Sequence, residues 1–187
     1  MRVIAGKYRS RMLRSLKGME LRPTSDRLRE TLFNVLGPLV QDAFFVDCFA
    51  GTGAVGIEAL SRGAREAVFI EKHRPAANVI RRNLESLEIR AGARLIVGDT
   101  LTELKKMSAK RLLPDFIYLD PPYRLVEEYE AILDFIDSAQ LLAPEGRVIA
   151  EHSRKIVLPE FFSRLENSRI LVQGDSAVSF YRMARAA

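Results

Sequence analysis

Four acidic residues stand where short apolar runs give out: Asp47 within residues 44–49, Glu71 after Ala67-Val68-Phe69-Ile70, Asp99 after Leu95-Ile96-Val97-Gly98, and Asp120 after Phe116-Ile117-Tyr118-Leu119. A carboxylate accepts hydrogen bonds from hydroxyls and amines and favours positive charge beside it. Four of them at successive run ends suit a ligand rich in such groups. The last opens Asp120-Pro121-Pro122-Tyr123. Two prolines lack N–H groups and fix φ, so the backbone after Asp120 is stiff and shows a carbonyl without a competing donor. An acid, a rigid carbonyl and an aromatic ring together suit a planar base carrying an exocyclic amine. The same tetrapeptide also reads as a strand stop, since Pro-Pro marks loops.

Between the first two acids, Gly51-Thr52-Gly53-Ala54-Val55-Gly56 fits G-x-G-x-x-G, with Glu71 at the distance of a ribose-binding acid. Taken literally this is a dinucleotide fingerprint. Asp47 argues otherwise, because just upstream of the glycines it would repel a pyrophosphate and favour the ammonium of an amino-acid-bearing cofactor. Asp99 suits an adenine amino group. Cys48 reads as a small packed residue, and no neighbouring motif makes it a nucleophile.

These residues need a scaffold that brings run ends together. Residues 44–49, 67–71, 94–99, 116–119 and 147–151 read as strands alternating with helical segments, one of them from about residue 126 to 136. A further helix is expected over 158–165, then a hairpin of 169–173 and 177–182 across Gly174-Asp175-Ser176. Such alternation predicts an open, mostly parallel α/β sheet that binds ligands at the carboxyl ends of its strands. Ahead of it, residues 2–6 and 12–16 read as a small β-hairpin. Thr24-Ser25-Asp26 then starts a helix with an apolar stripe at Leu28, Leu32, Phe33, Val35 and Leu36, stopped by Gly37-Pro38. We expect one domain over residues 1–187: a basic hairpin (1–20), a loop and helix (21–38) and the sheet core (44–187).

Composition narrows the classes. At 187 residues, 48% apolar and 28% charged, the chain is an ordinary globular one. No apolar run approaches a membrane span and no signal core follows Met1, so a cytoplasmic location is expected. One cysteine and two distant histidines offer no internal disulfide and no zinc spacing, and no metal is expected. Charge is uneven. Residues 1–31 hold nine Lys/Arg against three acids, and the remaining residues hold 20 against 21. Arg2, Lys7, Arg9, Arg11, Arg14, Lys17, Arg22, Arg27 and Arg29 could neutralise nucleic-acid phosphates, or form a solvated basic tail. Removing residues 1–18 is expected to weaken nucleic-acid binding and to spare the cofactor site.

Asp47-Cys48-Phe49-Ala50-Gly51-Thr52-Gly53, Glu71, Asp99 and Asp120-Pro121-Pro122-Tyr123 together resemble the S-adenosylmethionine-dependent methyltransferases that act on exocyclic amines. The segment from Arg22 to Asn34, Arg-Pro-Thr-Ser-Asp-Arg-Leu-Arg-Glu-Thr-Leu-Phe-Asn, is similar to the one preceding the core in bacterial RsmD-type enzymes, and the likeness covers essentially the whole chain. It implies a Rossmann-like class I methyltransferase fold: a seven-stranded, mostly parallel sheet with a C-terminal antiparallel hairpin and a small N-terminal β-hairpin. It implies methylation of a guanine N2 amine in small-subunit (16S) ribosomal RNA with S-adenosyl-L-methionine, by a monomer acting on a ribosomal subunit or assembly intermediate. The cofactor's methionine end is implied near Asp47, Ala50, Gly51 and Gly53, its ribose on Glu71, and its adenine by Asp99 and Thr100. The amine is implied at Asp120 and Pro121, with Pro122 holding the turn and Tyr123 stacking. Arg2, Lys7, Arg9, Arg11, Arg14, Arg22, Arg27 and Arg29 are implied as RNA contacts. The tetrapeptide serves adenine N6 and cytosine N4 amines in DNA as well, and a non-catalytic ribosome-assembly factor keeping this fold is a further alternative.

Overall fold

The computed structural model describes residues 1–15, 24–121 and 126–184. Its strands are β1 (Phe44–Cys48), β2 (Glu66–Glu71), β3 (Ala93–Val97), β4 (Phe116–Leu119), β5 (Arg147–Ser153), β6 (Leu165–Gln173) and β7 (Ser176–Met183). The helices are α1 (Asp26–Leu36), α2 (Ala54–Ser61), α3 (Arg74–Ser86), α4 (Thr100–Ala109) and α5 (Val126–Ala139). The sheet has seven strands in the order β3-β2-β1-β4-β5-β7-β6. The chain falls into two compact units, Met1–Thr100 and Leu101–Ala187.

In the first unit β1, β2 and β3 pair in parallel, with Asp47 opposite Phe69 and Glu71 opposite Val97. Every residue of β1 is buried, and all of β2 after Glu66. Continuous burial explains why both read as unbroken apolar runs rather than alternating ones. Helix α2 lies close on β2: a Cβ at Gly56 would stand 2.4 Å from the Phe69 ring. Helix α1 starts as expected, the Ser25 hydroxyl accepting from the Leu28 N–H, and buries Leu28, Leu32, Phe33 and Leu36.

The N-terminal segment pairs both with itself and with the core. Arg2 and Met12 form an antiparallel bridge, with Val3 N–H donating to Arg11 O and Leu13 N–H to Met1 O, both at 3.0 Å, so a small hairpin is present, while other amides of the segment pair with the core. The N–H groups of Ile4 and Ala5 donate to the two carboxylate oxygens of Glu58 on α2, at 2.7 and 3.0 Å. Lys7 N–H donates to the Ser61 carbonyl at 2.7 Å, and Tyr8 N–H to the Ser61 hydroxyl. Gly6 has φ +81°, and a Cβ there would sit 1.8 Å from Ser61 O. The segment is thus docked on α2 as well as paired with itself.

In the second unit β4 and β5 are parallel, β5 and β7 antiparallel, and β7 and β6 antiparallel. The terminal hairpin is present, with Gln173 opposite Ser176 and the turn reduced to Gly174-Asp175. Gly174, at φ +62°, supplies the positive φ that a two-residue turn favours at its first position. The helix expected over 158–165 is absent. Phe161 is 69% exposed, and Leu165 is drawn into β6 where it is fully buried. The amides find partners outside a helical ladder: Phe162 N–H donates to Leu165 O, Arg164 N–H to the Asp137 carboxylate, and Asn167 N–H to Glu160 O.

Candidate functional site

The site is built at the carboxyl end of β1. Phe49 (φ +57°), Gly51 (φ +56°) and Gly53 (φ +76°) turn the chain sharply, and Gly53 becomes the N-cap of α2. Two bonds fasten the turn, Ala50 N–H to Ile70 O at 3.0 Å and Gly53 N–H to Ala50 O at 2.7 Å. A Cβ at Gly53 would crowd Ile80 and Phe69 at 3.2–3.3 Å, and its φ of +76° disfavours any side chain. Gly51 is open on that side, its nearest neighbour being the Phe49 carbonyl at 3.8 Å. A ligand can thus lie against the backbone there.

Two buried acids flank this turn. Asp47, 2% exposed, accepts from Gly56 N–H through Oδ2 at 2.8 Å. Burial pushes its carboxyl from 3.8 up to about 8; the Gly56 N–H works against this and the Glu71 charge adds to it. Among the described residues no cation pairs with it. Glu71, 9% exposed, accepts from Gly51 N–H through Oε2 at 2.8 Å and from His73 N–H through Oε1 at 2.7 Å. These bonds lock the carboxylate and leave each oxygen a second lone pair. A cationic amine beside Asp47 would relieve its buried charge, and two vicinal hydroxyls would satisfy Glu71. Those are groups of an amino-acid-bearing nucleoside. Asp99 is exposed just before α4, and Thr100, its first residue, is buried. Asp47, Ala50, Gly51, Gly53, Glu71, Asp99 and Thr100 all fall in the first unit.

Asp120, half-buried, and Pro121, buried, follow β4 in the second unit; Pro122 and Tyr123 lie outside the described residues. β4 is anchored from its own unit. The Tyr118 hydroxyl donates to the Glu151 carboxylate and the Tyr129 hydroxyl to the Glu151 carbonyl. Next to it His152, whose imidazole pKa is lowered chiefly by burial, bonds the Ser179 hydroxyl through Nε2 at 2.9 Å. Cys48 is fully buried, and burial pushes its thiol up, so it is a packed residue. Among the described residues no cluster of three or more His, Cys, Asp or Glu could hold a metal, and no helix is long and apolar enough to cross a membrane.

Among the basic residues, Arg2, Lys7, Arg9, Arg11, Arg14 and Arg27 are exposed, while Arg22 lies outside the described residues. Arg11 donates through Nη2 to Ser86 O, and Arg2 sits 3.8 Å from Asp26. Arg29 overturns its expected role. It is fully buried, and its Nη2 donates to the Arg2 carbonyl at 2.6 Å and to Asp26 Oδ1 at 2.9 Å, so it ties the N-terminus to α1 and cannot reach a phosphate. Its place on the stripe with Leu32, Phe33 and Leu36 is a sequence signal for that burial. Glu58 and Asn83, both fully buried, were missed: each holds backbone groups more than 50 residues away, and nothing in their neighbourhoods marks it.

This fold is that of the Rossmann-like methyltransferases: yhhF of Escherichia coli, described as a candidate methyltransferase, superposes with a TM-score of 0.81 at 34% identity, covering 98% of each chain. The family model described as conserved hypothetical protein 95 matches residues 1–182, and the chain belongs to that family. It is 35% identical over 183 residues to ribosomal RNA small subunit methyltransferase D of Escherichia coli, covering 97% of this chain and 89% of the relative. It is also 35% identical over 182 residues to YlbH of Bacillus subtilis, described as a candidate rRNA methyltransferase, covering 97% and 98%.

Proposed function

We propose that this protein methylates the exocyclic N2 amine of a guanine in small-subunit (16S) ribosomal RNA using S-adenosyl-L-methionine. The observation that carries the cofactor reading is the pair of buried carboxylates on either side of the glycine turn, Asp47 held by the Gly56 N–H with no cation paired to it among the described residues, and Glu71 with both oxygens oriented by backbone amides. Asp47 would hold the methionine ammonium beside Ala50, Gly51 and Gly53, Glu71 the ribose hydroxyls, and Asp99 with Thr100 the adenine. Bound there, the cofactor supplies an electrophilic methyl group on a sulfonium.

The residues of this chain do the rest. The lone pair of a guanine N2 is delocalised into the ring. Hydrogen bonds accepted from that amine by the Asp120 carboxylate and the Pro121 carbonyl would turn the lone pair out of conjugation. The carboxylate also stabilises the positive charge that grows on nitrogen as the N–C bond forms, and accepts or relays the proton that leaves. Tyr123 stacking on the base and Pro122 stiffening the turn complete the clamp, and the base must leave its own stack to enter. Arg2, Lys7, Arg9, Arg11, Arg14, Arg22 and Arg27 would hold RNA phosphates. The choice of ribosomal RNA is supported by the names of the relatives, and that of guanine by the Arg22–Asn34 segment. The whole chain works as one methyltransferase domain, a cytoplasmic monomer meeting the RNA in a subunit or assembly intermediate.

Asp120→Ala tests the clamp. It should bind S-adenosylhomocysteine with unchanged affinity and lose turnover by ~100-fold or more, the scale of one transition-state hydrogen-bonding group. Methylation at a near-normal rate by this variant would refute the assignment of Asp120.

A further inference from the structure

Asn83 is a fully buried amide on α3 whose three hydrogen bonds reach two other parts of the first unit. Its Oδ1 accepts from Arg14 N–H at 2.8 Å. Its Nδ2 donates to the Arg14 carbonyl at 3.2 Å and to the Thr52 carbonyl at 2.9 Å. Both N–H donors are thereby used, one on the basic N-terminal segment and one on the glycine turn. Thr52 stands between Gly51, whose N–H orients Glu71, and Gly53, the N-cap of α2. A shift of the Thr52 carbonyl therefore moves the groups that shape the cofactor cradle. The Thr52 hydroxyl donates to the Met1 sulfur at 3.6 Å, a second contact between the same two parts. Glu58 adds a third, holding Ile4 and Ala5 from the helix that the turn begins.

We propose that Asn83 is a positioning residue that couples the basic N-terminal segment to the cofactor turn, so that a polyanion on the segment and a ligand in the turn each strengthen the binding of the other. The segment carries Lys7, Arg9, Arg11 and Arg14 with exposed side chains, whereas its backbone carries the contacts to Asn83 and Glu58. Phosphates drawn to those side chains order a backbone that shares an amide with Thr52. A ligand that orders the turn orders Arg14 through the same side chain. Such coupling is reciprocal by thermodynamic necessity. The inference rests on the cofactor reading given above and adds to it a path by which substrate contact is felt at the cofactor.

Calorimetric affinities for S-adenosylhomocysteine are measured with and without saturating polyuridylate, for the wild-type chain and for Asn83→Ala. In the wild type the nucleic acid should tighten the ligand by ~5-fold or more, the low end of measured couplings. In Asn83→Ala both ligands should still bind, and the ratio should fall below that of the wild type, any remainder being carried by the Thr52–Met1 and Glu58 contacts. A wild-type ratio of 1, or an unchanged ratio in the variant, overturns the proposal. Absence of S-adenosylhomocysteine binding by the wild type instead refutes the cofactor reading and the proposal with it. Amide exchange on the wild type alone covers a variant that fails to fold. Adding S-adenosylhomocysteine should slow exchange at Arg14, whose amide lies outside the cradle, and an unaltered Arg14 rate contradicts the coupling.

Discussion

Asp47 separates what a residue does for the ligand from what it costs the fold. Its carboxyl is held near 8 in the folded chain against 3.8 ordinarily, so on raising the pH the unfolded chain gives up this proton first. Stability should then fall from about pH 4 to about pH 8 and level off above, the reverse of the usual behaviour of a paired carboxylate. Asp47→Asn keeps an acceptor for the Gly56 N–H and carries no charge to bury. Its melting temperature should vary less than that of the wild type across that pH window. The same substitution should weaken S-adenosylhomocysteine by about tenfold or more, the worth of one hydrogen bond to a charged group. A variant less stable than the wild type above pH 8 would mean that the buried charge already has a stabilising partner. At this scale the sequence was readable where chemistry and backbone coincide: acids at run ends and glycines in a tight turn. It was not readable where a side chain serves a distant backbone group, as at Glu58 and Asn83. Arg29 misled because a cation early in a helix looks solvated, although its neighbours at three, four and seven residues are Leu32, Phe33 and Leu36.

Among the elements, the N-terminal segment gains most from the structure. Read as a basic hairpin ahead of the core, it keeps its Arg2–Met12 bridge and is also fastened to α2 through Glu58 and Ser61 and to α3 through Asn83. Gly6→Ala should destabilise the protein by more than about 1 kcal/mol in urea unfolding, because its φ is left-handed and its Cβ would run into Ser61 O. A neutral outcome would show the segment free to lift off. Deleting residues 1–18 should, by the same contacts, destabilise the core rather than spare the cofactor site, since Glu58 would lose two of its donors and Asn83 its Arg14 partners. The parallel strands were legible because burial on both faces leaves continuous apolar runs. Residues 158–164 were not, because Leu158, Phe161, Phe162 and Leu165 recur at helical spacing while the Phe162 amide bonds Leu165 of β6 and the Arg164 amide bonds Asp137 of α5.

At the level of the whole molecule, the charge asymmetry and the cofactor cradle belong to one chain with two tasks. Exposed Arg9 and Arg14 can be reversed without disturbing the packed core, because the contacts of Arg14 to Asn83 use its backbone. Replacing both by Glu should weaken RNA binding and lower the salt slope by between one and two, at ~0.7 to 0.9 per lost phosphate contact. An unchanged slope would return the segment to a solvated surface. The alternation of strands and helices and the strand-end acids came from patterning, whereas the seven-stranded sheet and the identity of the acceptor base rest on resemblance. The chemistry proposed for Asp120-Pro121 would select an amine and would not choose between guanine, adenine and cytosine. The most direct test incubates the protein and methyl-labelled S-adenosylmethionine with undermethylated small ribosomal subunits, then digests the RNA and separates the nucleosides. The account predicts label in N2-methylguanosine of the small-subunit RNA, with Asp120→Ala leaving it unlabelled; label in methyladenosine or methylcytidine, or no transfer by the wild type to subunits or their RNA, would contradict it.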